Sequence, residues 1–187
     1  MSSFLRFAGA AALVLSFGLF VRALPVVSVS IPTITGTDAV SVVCAKLSVS
    51  IEAHIKALLA CGTIADVEAA IKAMIVAIKI CSDDLVKIGT GVVVDVDAQA
   101  SIVACIAALI TLIVRVCLQL SVKFGIAAVA ALYAELDVCI RLLLGNLDVC
   151  IAGIVALIVK ACVGVTASLL ASINMKVCAD IIAKLAL

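Results

Sequence analysis

The sequence predicts an all-α fold: a disulfide-bearing bundle of about five or six helices after a cleaved signal peptide. Three observations carry that expectation. Apolar residues recur at spacings of three and four over most of the chain after Asp38, the period of one helix face. Glycines and capping residues punctuate that stretch at helix-length intervals, from Gly62-Thr63 to Gly164, as helix ends require. All nine cysteines lie downstream of a secretory leader, and thiols in that compartment are expected to oxidise.

The leader is residues 1–23. Arg6 precedes an apolar run from Phe7 to Phe20, interrupted only by glycine and Ser16, and Val21-Arg22-Ala23 supplies the cleavage site. This is the order of a signal peptide, and the run is short for a spanning anchor. Residues 24–37, LPVVSVSIPTITGT, hold both prolines and no charge. Val27, Val29 and Ile31 alternate with Ser28 and Ser30 as in a strand, but Pro32 interrupts the pattern, so the segment reads as an extended arm. Residues 38–187 form the helical domain.

The first helix carries Val40, Cys44, Leu47, Ile51, Ile55 and Leu58 on one stripe and ends at Cys61-Gly62. Thr63 caps the second, with Asp66 in its first turn. Its stripe of Ile64, Val67, Ile71, Met74, Ile78, Cys81, Leu85 and Ile88 is the clearest in the chain. The charges Asp66, Glu68, Lys72, Lys79, Asp83, Asp84 and Lys87 lie off it. After a Gly89–Asp95 loop, Asp95 or Asp97 caps a third helix that runs to Phe124, with Gly125 as breaker. A fourth spans Ile126 to Leu144 and stops at Gly145-Asn146. A fifth starts near Asp148 and weakens near Gly164, and a sixth runs from Thr166 to the end. Val92-Val93-Val94 is the one short strand-like run in this region. A 13-residue pattern, C-I-A-x4-L-I-V-[RK]-x-C, occurs at Cys105–Cys117 and again at Cys150–Cys162, as duplication of a helical unit would leave it.

Composition excludes several function classes. The hydrophobic share is 67% and the charged share 13%, far from the ~45–50% and ~25% of ordinary soluble domains. The excess is aliphatic. Beyond residue 20 only Phe124 and Tyr133 are aromatic, which leaves no stacking platform for bases. A formal charge of +1, with Arg115, Lys123, Arg141 and Lys160 scattered, gives no footprint for nucleic acid. A membrane protein is the competing class. Yet the longest charge-free stretch after the leader is Ala98 to Val114, shorter than the ~20 residues of a span. Charges recur through the other apolar runs, where a bilayer would make them costly.

The cysteines, Cys44, Cys61, Cys81, Cys105, Cys117, Cys139, Cys150, Cys162 and Cys178, are the disulfide candidates. No CxxC and no doublet occurs among them. Residues equidistant from a hairpin turn face each other. That rule relates Cys44 to Cys81, Cys139 to Cys150, Cys150 to Cys178 and Cys81 to Cys105. Two of these cysteines appear twice, so connectivity stays open, and one of the nine is left over.

No catalytic, metal or cofactor motif emerges. His54, the only histidine, sits between Glu52 and Lys56, which read as a surface pair. Asp95-x-Asp97 lacks the rest of a calcium loop. Asp137 and Arg141 have the spacing of a helix ion pair, and Asp83-Asp84 that of a solvated face.

An Ala23-Leu24-Pro25 junction after a leader, a Ser/Thr/Pro arm and aliphatic helices with single spaced cysteines resemble the small secreted hydrophobic proteins of mushroom-forming fungi. The resemblance covers the whole chain and is compositional. It implies a cell-wall, matrix or aerial-surface role. The chain departs from hydrophobins, which carry Cys-Cys doublets. The expectation is a secreted, non-enzymatic structural or surface-active protein. Its partners would be hydrophobic surfaces or lipids and further copies of itself, without cofactor, metal or nucleic acid. The alternatives are an extracellular lipid carrier with a cavity between helices and a membrane-inserting protein.

Overall fold

The computed structural model describes residues 30–162 and 164–185; the leader and the first six residues of the arm lie outside them. The described residues form an all-α protein with seven helices and no strand. These are α1 (Ala39–Ala60), α2 (Ile64–Ile88), α3 (Val96–Phe124), α4 (Ile126–Cys150), α5 (Ile154–Ala161), α6 (Ala167–Ser172) and α7 (Lys176–Leu185).

Local chemistry sets the first boundaries. Asp38 accepts from the Ser41 N–H at 2.9 Å and opens α1. Thr63 and Asp66 form a reciprocal capping box on α2: the Thr63 hydroxyl accepts the Asp66 N–H at 3.2 Å, and the Asp66 carboxylate accepts the Thr63 N–H at 2.9 Å. Asp95, not Asp97, caps α3, accepting the Ala98 N–H at 2.7 Å. Gly125 alone separates α3 from α4. Its φ of +86° is backbone that a side chain would strain.

α1 packs on α2 and α3, and α4 packs on α2 and α3. The order around this four-helix core is therefore α1, α2, α4, α3, and the Gly89–Asp95 connection crosses the bundle's end between non-adjacent helices. Three ties fix the directions. Lys123 donates to the Cys61 carbonyl at 2.6 Å at one end. Asn146 donates to the Ser82 hydroxyl at 2.7 Å near the other, where the Thr35 N–H also meets the Ser101 hydroxyl at 3.2 Å. Residues 30–37 of the arm carry no helix or strand, and Ile31 and Ile34 pack on the core. Gly36 passes so close to Ser41 and Ala98 that a Cβ there would collide with both.

α5, α6 and α7 form a second layer. α5 lies on α3 and α4, α7 lies on α4, and α6 pairs with α7. α3 is thus walled in, and no residue from 105 to 120 is exposed. Among the described residues it is the one helix long and apolar enough to cross a membrane, and most of its apolar stretch is covered by the bundle itself.

Three expected boundaries are corrected. α4 does not stop at Gly145 but continues to Cys150, because Gly145 takes ordinary helical backbone and tertiary packing outweighs its weak propensity. The next helix starts at Ile154 rather than near Asp148; Asp148 lies inside α4 and accepts the Val155 N–H from there at 3.4 Å. The expected sixth helix is two, α6 and α7, divided at Ile173–Met175 where Asn174 has a φ of +66°.

Candidate functional site

All nine cysteines are free thiols in the structure and none is more than 7% exposed. The bridges expected of a secreted chain are not seen. Each cysteine instead sits on a buried helix stripe or at a helix end and packs as a small apolar side chain. Burial pushes the thiols up, Cys81 to about 12, Cys117 to about 12 and Cys162 to about 11, which suppresses the nucleophilic thiolate.

The helices gather these thiols unevenly. Cys44 of α1 lies within electrostatic reach of Cys81, Cys105 and Cys150, from α2, α3 and α4. The hairpin rule placed Cys44 and Cys81 near each other, and they are. It fails for Cys139 and Cys150, which share the single helix α4. It fails again for Cys178, whose thiol neighbour is Cys162. Among the described residues, no group of three or more His, Cys, Asp or Glu is arranged to hold a metal ion.

The expected Asp137–Arg141 ion pair does not form. Asp137 is 2% exposed, and its two carboxylate oxygens accept the N–H groups of Val177 at 2.7 Å and Cys178 at 2.9 Å. A carboxylate of α4 therefore caps the N-terminus of α7, where it also meets the positive end of the helix dipole. The sequence did hold a sign of this, because Asp137 falls in line with Tyr133, Ile140 and Leu144 on the buried stripe. Asn146, read as a stop signal, ties α4 to α2 through Ser82. Tyr133 is fully buried and donates to the Cys117 carbonyl at 2.8 Å, as a buried phenol must.

The remaining candidates are surface groups. Lys56–Glu52 is an i,i+4 pair at 2.7 Å, with His54 half-buried beside it. Asp84 pairs with Lys87 at 2.7 Å.

Two features bear on apolar partners. One is the interior: a void among α1–α4 walled by Ile51, Ile78, Ile106 and Ile140, and another under the second layer walled by Val114, Leu144 and Met175, hold only about 20 Å³ each. Lipid-sized pockets are roughly 300–1,000 Å³. The other is the outward face of α4, where Ala127, Ala131, Val138, Leu142, Gly145 and Val149 are all exposed. α2 exposes a shorter stripe of Ala69, Ala73, Val76 and Ile80. Lys72 of α2, paired with Glu68 at 2.6 Å, also lies within electrostatic reach of Glu135 of α4.

The fold and these features define an all-α, thiol-rich, aliphatic helical bundle. Compared with family models, curated proteins and solved structures, the chain matches none.

Proposed function

We propose that this chain is a secreted, non-enzymatic structural protein that coats or assembles at hydrophobic interfaces, in the cell wall or extracellular matrix. The observation that carries this reading is the outward face of α4. A helix whose inner side already packs on α2, α3 and α7 also presents Val138 at 49%, Leu142 at 53% and Val149 at 56% exposure. The spacings of four and seven put these residues on one strip of the helix, and apolar surface on one strip supports contact with an apolar partner, at about 25 cal/mol per Å² removed from water. The carrier alternative draws no support from core voids of about 20 Å³.

The test is tensiometry at an air–water or oil–water interface, with circular dichroism of the adsorbed film. The protein is expected to lower surface tension more than an ordinary globular control at equal concentration, in a film that stays helical. Replacing Val138→Ser together with Leu142→Ser is expected to slow adsorption while leaving the solution spectrum unchanged. Tension no lower than the control would overturn the reading.

A further inference from the structure

We propose that Cys162 and Cys178 form a redox latch, a thiol pair that closes into a disulfide and staples the second layer shut. Both thiols stand in the wall of one small cavity, facing Ile110, Val114, Ile140 and Leu144 of the core. Cys162 ends α5 and Cys178 lies in the first turn of α7. Between them run α6 and the Ile173–Met175 turn, so the bridge would close a short loop around one supersecondary unit. The backbone around both residues is already held. The Cys162 N–H donates to the Ile158 carbonyl at 3.0 Å, and the Cys178 N–H donates to Asp137 at 2.9 Å. The thiols of Cys44, Cys81, Cys105 and Cys150 have competing neighbours, whereas Cys162 is the one thiol in electrostatic reach of Cys178.

The oxidant is a small-molecule disulfide such as glutathione disulfide. The Cys162 thiolate attacks one of its sulfurs, forming a mixed disulfide and releasing one glutathione thiolate. The Cys178 thiolate then displaces the second glutathione. Two thiols of the protein are oxidised, the glutathione disulfide is reduced to two thiols, and the two cysteine protons end on them. Both thiols are covered, so exchange proceeds through opening of the second layer. Opening removes the burial that raises both thiols, so either can attack first, and the steps balance equally with the two exchanged. Closure then locks that layer over the apolar wall of α3 and α4. The bridge rests on the shared cavity wall and does not depend on the surface-active reading above; its effect on adsorption does.

Trypsin makes the test clean, because Lys and Arg positions put each of the nine cysteines on a different peptide. The folded, full-length protein is incubated with glutathione disulfide, blocked, digested without reductant and mapped by mass. The expected major cross-link joins peptide 161–176 to peptide 177–184. Cys162→Ser and Cys178→Ser are each expected to leave the other cysteine capped by glutathione, with unchanged helical content, while Cys44→Ser leaves the cross-link intact. A predominant bridge between other peptides, or glutathione adducts on both 162 and 178 without a link, would overturn the proposal. The bridged form is expected to adsorb severalfold more slowly than the reduced form. Equal rates for a bridged and a reduced protein would overturn the latch. A protein that bridges but adsorbs in neither state would instead overturn the surface-active reading and leave the bridge standing.

Discussion

Asp137 shows how one residue's role depends on what packs against it. Its carboxylate holds two buried N–H groups of a different helix. Asp137→Ala would leave both without a partner, at about 1–3 kcal/mol for each buried group left unsatisfied. Chemical denaturation is expected to show a loss of about 3 kcal/mol for Asp137→Ala and a smaller one for Asp137→Asn, which retains an acceptor. Equal stability of Asp137→Ala and wild type would contradict the trans-cap. A second residue-scale expectation concerns pH. The Thr63 hydroxyl first, then the Thr63 N–H, hold Asp66 below its ordinary 3.8. A carboxyl lowered in the folded state stabilises fully above its unfolded value, and that contribution is lost as pH falls through the folded value. Helix α2 should therefore lose capping below about pH 4. In Thr63→Ala, the Asp66 titration followed by NMR is expected to move upward and the acid dependence of stability to flatten. An unmoved titration would show that the hydroxyl plays no part.

At the scale of elements, two glycines with similar sequence meanings have opposite structural ones. Gly125 ends α3 with a φ of +86°. Gly145 lies inside α4, and a Cβ there would meet nothing within 4 Å. Gly145→Ala is expected to raise stability by about 0.5–1 kcal/mol and Gly125→Ala to lower it, measured by thermal melting. A destabilising Gly145→Ala would place a real break at that position. The internal repeat makes the same point. Its first copy is unbroken helix within α3, whereas its second spans the end of α4 and all of α5. Where the first copy has Ala108, the second has Gly153 with a φ of +80°. That left-handed residue ends one helix and starts the next, which alanine disfavours.

At the scale of the whole molecule, α3 is the organising element. Neighbours α1, α4 and α5 enclose it, and Ile102, Cys105 and Val114 are fully buried. Amide protection tracks burial and contact density, with surface elements opening first. Hydrogen exchange is therefore expected to be slowest across residues 105–120 and faster in α6 and α7. Fast exchange in α3 would mean that its apolar length is not held within the bundle. The same enclosure explains how so aliphatic a chain keeps small voids. Its apolar mass goes into packing, and the surplus emerges on the surface, including the outer faces of α2 and α4.

By itself, the sequence determined the helical class, the stripes of α1 and α2 and the cap at Thr63, and it narrowed the cap of α3 to Asp95 or Asp97. These depend on period and on hydrogen bonds within a few residues, and both are written locally. Tertiary structure decided what local chemistry leaves open. It carried α4 through Gly145, because Asn146, Leu147 and Cys150 gain partners on α2 and in the core. It turned Asp137 from a surface ion-pair candidate into the cap of α7. It also replaced hairpin symmetry with actual neighbours, bringing Cys178 to Cys162 rather than to Cys150. Spacing along a chain sets which side of a helix a residue occupies; only the packing of helices sets which residue stands opposite.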